Sequence, residues 1–195
     1  MNKHIIDGLE VLHIPNAFSD DVLRKWEDFY INVPFFNCGG DRDENAKRYF
    51  TAGLNLVDYI NIFPVNDVIK HARVISPDCK KLSYHASLIN AIGSNQIFEP
   101  HTDTDKFELG ENEFYTVVLW FGNPHWDHVS GGSLVLGDQQ DFIIPNRYND
   151  LVIFPGQMLH TMESHTSNLT RVTVYSSFTN QFNNLAAEIL AKNCW

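Results

Sequence analysis

Apolar positions change their period near residue 82. Before that point they recur every three or four residues. Val22, Leu23, Trp26, Phe29 and Tyr30 fall on one side of a 3.6-residue helix running from Ser19 to about Val33. Ser19 is placed as its N-cap, and Phe18 against Leu23 makes a hydrophobic staple. A Gly- and charge-rich stretch from Asn37 to Arg48 then reads as an exposed loop. A second helix is predicted over Asn66 to Val74, stopped by Ser76-Pro77.

From Leu82 onward the pattern is one of short β-branched and aromatic runs. They are Leu82 to Ile92, Tyr115 to Phe121, Ser133 to Leu136, Asp150 to Phe154 and Arg171 to Phe178. Gly, Asn, Asp and Pro clusters separate them, as antiparallel strands of a sandwich or barrel require. Gln181 to Lys192 is predicted as a closing helix with Leu185, Ile189 and Leu190 facing inward. The expectation is one domain over residues 1–195: mostly helical support in 1–81, a β core in 82–178 and a closing helix in 179–195. The fold class is mainly β with flanking α.

At 195 residues, 44% hydrophobic and 19% charged, the chain reads as globular. Its net charge of −10 repels phosphate backbones, so no nucleic-acid partner is expected. Cys38, Cys79 and Cys194 are odd in number and far apart, which supports neither a thiolate zinc site nor a disulfide framework. No signal-peptide or membrane-spanning run is found, so a soluble, cytoplasmic protein without a membrane partner is expected. Asn168-Leu169-Thr170 is then a chance sequon.

Three segments of the β region carry candidate chemistry. In Phe98-Glu99-Pro100-His101-Thr102-Asp103, an extended backbone puts His101 and Asp103 on one face, an imidazole and a carboxylate side by side. The strand Asp150 to Phe154 runs through Pro155-Gly156 to present His160. In Arg171-Val172-Thr173-Val174-Tyr175, Arg171, Thr173 and Tyr175 share a face opposite the valines. If the intervening residues fold as a hairpin about His165-Thr166, Arg171 stands roughly opposite His160. Arginine beside a metal ligand is repulsive unless an anion lies between them, and its fork suits a carboxylate that Thr173 could also contact. His101, Asp103 and His160 thus compose a two-His-one-carboxylate facial triad, a donor set suited to Fe(II) with open positions. The anion opposite Arg171 is read as 2-oxoglutarate, chelating iron through its keto acid end and leaving a position for O2.

With these residues the sequence resembles the prolyl-4-hydroxylase-like Fe(II)/2-oxoglutarate oxygenases over roughly Leu82 to Phe178. The resemblance rests on HTD at 101–103, His160, and Arg171 eleven residues beyond it. Gly131-Gly132-Ser133-Leu134 and Phe154-Pro155-Gly156 support it. It implies a double-stranded β-helix (jelly-roll) core, C–H hydroxylation with succinate and CO2 as co-products, and ascorbate as an accompanying reductant. Members often place a 2-oxoglutarate-contacting tyrosine on the strand corresponding to Tyr115 to Phe121. Trp120 is aligned with that position here, and Asn90 is the polar residue nearest another missing pocket tyrosine, by Ala91.

Asp103 favours hydroxylation over halogenation, which needs a small residue there. Glu99, Thr102, Asp105 and Gln157 are candidate pocket residues. A prolyl or other residue of a peptide or protein is the first substrate class, and a free amino acid or small metabolite the second. Nucleic-acid demethylation is disfavoured because Ser177 stands where that group carries a second arginine. A non-catalytic metal-binding β-barrel module is the rival from another class, with His125-Trp126-Asp127-His128 as a separate candidate metal site. A cupin would show HxH and a nearby Glu rather than HxD. His4, His13, His71, His85 and His165 are assigned structural or exposed roles.

Overall fold

The computed structural model describes residues 1–37, 49–75, 83–96, 98–104, 115–126 and 130–180. Its elements are β1 (Asn2–Ile6), β2 (Leu9–Ile14), α1 (Asp20–Tyr30), β3 (Phe36–Asn37), β4 (Tyr49–Gly53), α2 (Leu56–Ile62) and α3 (Val65–Ile75). There follow β5 (Ser83–Ile92), β6 (Tyr115–Phe121), β7 (Leu134–Leu136), β8 (Phe142–Ile144), β9 (Leu151–Pro155), β10 (His160–Met162) and β11 (Arg171–Thr179). Eight strands form one sheet in the order β1-β2-β9-β6-β11-β5-β4-β3, and three form a second in the order β10-β7-β8. Every paired strand is antiparallel. This is the mainly β, jelly-roll architecture with flanking helices.

The centre of the large sheet is buried on both faces: β6 shows no exposed residue along its length. Side chains alternate strictly. Val118, Trp120, Ile153, Val174 and Phe178 point to the helices, where Trp26, Tyr59, Phe63 and Val68 meet them. Val117, Leu119, Phe121, Val152 and Phe154 point the other way, towards Leu134, Leu136 and Ile144 of the small sheet. The space between the sheets is where the functional side chains collect.

The stripe predicted for the first helix packs as drawn: Trp26 is fully buried against the large sheet, and Val22, Leu23 and Phe29 flank it. Its indole donates to the Gly122 carbonyl at 2.8 Å, tying α1 to the end of β6. Ser19 is the N-cap but makes no side-chain cap bond. The first 81 residues depart from the mostly helical expectation, since four strands alternate with three helices there. β1 and β2 form a hairpin at Asp7 and Gly8, both with positive φ (49° and 77°), the signature of a tight primed turn. α2 also went unforeseen: Leu56, Val57 and Ile60 are exposed, so no amphipathic stripe marks it. Asn55 supplies its start, accepting from the Asp58 N–H at 2.9 Å. The expected closing helix, and most of the expected loop from Asn37 to Arg48, lie outside the described residues.

Candidate metal centre and co-substrate cavity

Residues 98–103 are stitched to the turn and strand that carry His160. His101 and His160 exchange backbone hydrogen bonds of 3.0 and 2.9 Å. The Asp103 N–H donates to the Gly156 carbonyl at 2.8 Å, and the Thr161 hydroxyl donates to the Phe98 carbonyl at 2.7 Å. The Gly156 N–H in turn donates to the Tyr115 carbonyl at 2.7 Å, so the β9–β10 turn is fixed to β6. This lattice of backbone bonds sets the relative positions of three side chains far apart in sequence.

His101, Asp103 and His160 converge so that their ligand atoms all lie within 4.8 Å of one another. Asp103 Oδ1 is 3.8 Å from His101 Nε2, and Oδ2 is 3.9 Å from His160 Nε2. Each imidazole has its Nδ1 3.0 Å from a backbone carbonyl, Glu99 for His101 and Met158 for His160. A carbonyl only accepts, so each Nδ1 carries the proton and each Nε2 turns a lone pair to the centre. Burial lowers the pKa of His160 and outweighs the attraction of Asp103, keeping that ring neutral, as a ligand must be.

Asp103 Oδ2 is buried and accepts no hydrogen bond among the described residues. A carboxylate facing two imidazole lone pairs is repulsive without a cation, and a divalent ion resolves that conflict. The donor set of two imidazoles and one carboxylate, without thiolate, fits Fe(II). The His101 side chain is 52% exposed, against 10% for His160, so the centre opens on the His101 side. This trio is the one such cluster among the described residues; Asp127 and His128 of the rival candidate lie outside them.

From the trio a cavity of about 520 Å³ extends between the sheets. Arg171 lines it, fully buried, with Nη1 donating to the Glu163 carbonyl at 2.8 Å and Cζ 5.6 Å from the centre of the Phe98 ring. Thr173 and Asn90 face each other across the β11–β5 pairing and also line it. Asn90 Oδ1 accepts from the Thr51 hydroxyl at 3.2 Å. The route to this juxtaposition differs from the expected hairpin. β10 pairs with β7 in the small sheet, while β11 pairs with β5 and β6 in the large one. Arg171 and His160 therefore meet across the gap between sheets, not across a shared ladder.

Several expected pocket residues are elsewhere. Trp120 points to the helical face, 5.0 Å from Trp26 ring to ring, because it lies one residue out of phase with Leu119 and Phe121. Glu99 is exposed, and it is its backbone carbonyl that serves His101. Thr102 alternates away between His101 and Asp103 and is not on the cavity wall. Gln157 is exposed and lines a separate cleft of about 170 Å³ near Gly8 and Glu10. Asp105 lies outside the described residues.

Conversely, the cavity holds Tyr115, Tyr175 and His85, which sequence reasoning did not select. The Tyr115 and Tyr175 hydroxyls are 2.8 Å apart, and burial raises both pKa values, with Asp103 adding to the effect. His85, expected to be structural or exposed, lines the cavity with a pKa lowered by burial. The signal for Tyr175 was available, since it shares the face of Arg171 and Thr173.

Residues 86–178 match the model of the 2OG-Fe(II) oxygenase superfamily. No curated protein matches the sequence. Among solved structures, the chain is similar to an oxidoreductase of the 2OG-Fe(II) oxygenase family from Burkholderia pseudomallei, with a TM-score of 0.66 at 12% identity over 90% of this chain and 87% of that one. It is similar to HygX from Streptomyces hygroscopicus with nickel, 2-oxoglutarate and hygromycin B bound (TM-score 0.61, 10% identity, 90% and 84% covered). It is also similar to a prolyl hydroxylase from Trichoplax adhaerens in complex with a hypoxia inducible factor peptide fragment (TM-score 0.57, 13% identity, 95% and 87% covered). At these identities the likenesses establish the fold.

Proposed function

We propose that the chain is a member of the 2OG-Fe(II) oxygenase superfamily, whose model its residues 86–178 match, and that it hydroxylates a C–H bond in a peptide or protein residue, proline first. One observation carries the site assignment: the Asp103 carboxylate faces both imidazoles, Oδ1 to His101 Nε2 and Oδ2 to His160 Nε2, with Oδ2 buried and accepting no hydrogen bond among the described residues, in a cavity that also holds a buried arginine. His101, Asp103 and His160 hold Fe(II). Together with 2-oxoglutarate and O2, the bound iron supplies the oxidising chemistry, with succinate and CO2 as co-products.

The side chains do the rest by position. Arg171 presents its guanidinium, anchored through Nη1 by Glu163, to the distal carboxylate of 2-oxoglutarate, and Thr173 on the same face adds a hydroxyl. Asn90, opposite Thr173, completes the polar patch at that end. Phe154 and Leu134 wall the cavity and keep water from the reacting centre.

A direct test is titration of the metal-free protein with 2-oxoglutarate, with and without Fe(II), followed by assay of 2-oxoglutarate consumption and a +16 Da product. Metal-dependent binding and slow consumption without substrate are expected, and His101→Ala or Asp103→Ala abolishes turnover. Absence of metal-dependent 2-oxoglutarate binding removes the enzyme reading.

A further inference from the structure

Besides the His101–Asp103–His160 trio and Arg171, the cavity wall carries a second group of polar side chains. Arg171, Thr173, Tyr175 and Ser177 occupy the same face of β11, so Tyr175 stands four residues, about 13 Å of strand, from Arg171. There its phenol meets that of Tyr115 on β6 at 2.8 Å. The Ser177 Oγ lies 3.0 Å from His85 Nδ1 on β5. Asp103 is near enough to both tyrosines to act on their charge, so this cluster lies at the metal end, away from Arg171.

Three polar side chains from three adjacent strands, Tyr115, Tyr175 and His85, thus line the cavity, with the fully buried Ser177 hydroxyl behind them. A purely structural core would put aliphatic groups there, since each buried hydroxyl has to find a partner. Hydroxyls can turn either to donate to a carbonyl or to accept from an N–H. Charge narrows the ligand further. Among the described residues lining the cavity, Asp103 and Arg171 are the side chains with a full charge at neutral pH, and the oxygenase reading commits both. A substrate ammonium or carboxylate at the tyrosine end would be buried without a counter-ion, whereas a neutral amide would be satisfied there.

We propose that the Tyr115–Tyr175 hydroxyl pair, with His85 beside it and Ser177 behind, is the subsite that receives an uncharged amide of the primary substrate, and so selects a peptide over a free amino acid. This rests on the oxygenase reading above.

The test uses the Fe(II)-loaded full chain with acetylated, amidated dipeptides containing proline, set against free L-proline and the other free amino acids. The readouts are stimulation of 2-oxoglutarate consumption and the +16 Da product. Capped peptides are expected to stimulate turnover and free amino acids not to do so at equal concentration. The Tyr115→Phe/Tyr175→Phe double variant should raise the peptide KM by about tenfold, one or two hydrogen bonds lost, while its metal-dependent 2-oxoglutarate Kd stays within about twofold. Tyr175→Phe alone carries the same direction should the double variant fold poorly. Preference for free amino acids, no response to any capped peptide, or an unchanged peptide KM in these variants overturns the subsite. Failure of metal-dependent 2-oxoglutarate binding in the unmutated chain would instead overturn the reading on which it rests.

Discussion

A methyl group built on Gly156 would stand 2.5 Å from Cδ1 of Tyr115 and 3.1 Å from Cγ2 of Thr104. The same residue accepts the Asp103 N–H and donates to the Tyr115 carbonyl, so any shift is passed to a proposed metal ligand. Gly156→Ala should therefore cost about 1–3 kcal/mol of stability as overpacking. It should also weaken Fe(II) binding, and urea unfolding together with metal titration checks both. Unaltered metal affinity would show that the turn relaxes without moving Asp103. At the other end of the cavity, Arg171→Lys keeps the charge but loses the planar fork. Its 2-oxoglutarate Kd should rise about tenfold, and that of Arg171→Ala about a hundredfold, the range of hydrogen bonds to a charged group. Equal affinity in Arg171→Lys would mean that charge alone is recognised.

Among the elements, α1 lies on the face of the large sheet away from the cavity, and its indole–carbonyl bond from Trp26 to Gly122 is its polar anchor. Trp26→Phe leaves the Gly122 carbonyl without that donor and should cost about 1–3 kcal/mol in urea unfolding. Its 2-oxoglutarate affinity should stay unchanged, since α1 packs on the face of the large sheet opposite the cavity; a parallel loss of affinity would show the two faces to be coupled. This helix was legible because its apolar residues repeat at helical spacing. β5, β6, β7, β9 and β11 were legible from β-branched runs bounded by turn residues. β8 and β10 were not: three residues are too few to show a period, and neither is marked as the equally short β7 is by Gly131-Gly132 before it. The β1–β2 hairpin carried its own signal in Asp7-Gly8, set between the apolar residues of two short strands. The convergence of His101, Asp103 and His160 could be anticipated from residue type and spacing. The pairing partners of β10 and β11 could not, since local pattern does not say which sheet a strand joins. Trp120 shows the same limit at one position: correspondence to a family motif placed it in the pocket, and the two-residue period of β6 turned it to the helices.

At the scale of the whole molecule, placing a polar cavity between two packed sheets buries imidazoles that would rather be charged. His85 and His160 line the cavity, and His165 is buried beside it with Nε2 3.1 Å from the Ile92 carbonyl. Burial lowers the pKa of all three from the ordinary value of 6.5. On unfolding they regain that value, so between it and their lower folded values the unfolded chain holds more protons than the folded one. Stability then rises with pH through that window and is lost as pH falls below about 6.5. For His160 alone, the limiting slope of one proton is about 1.4 kcal/mol per pH unit. The metal-free protein should therefore show a lower urea midpoint at pH 5.0 than at pH 7.5, where the histidines are neutral in both states. Fe(II) binding deepens the difference, because protons compete for the Nε2 atoms that hold the ion. His85→Gln removes one of the three titrating groups and should flatten the metal-free profile without abolishing it. A urea midpoint that is level, or that rises towards pH 5.0, would mean these rings take up protons in the folded state without penalty. The cavity between the sheets would then be far wetter than its walls imply.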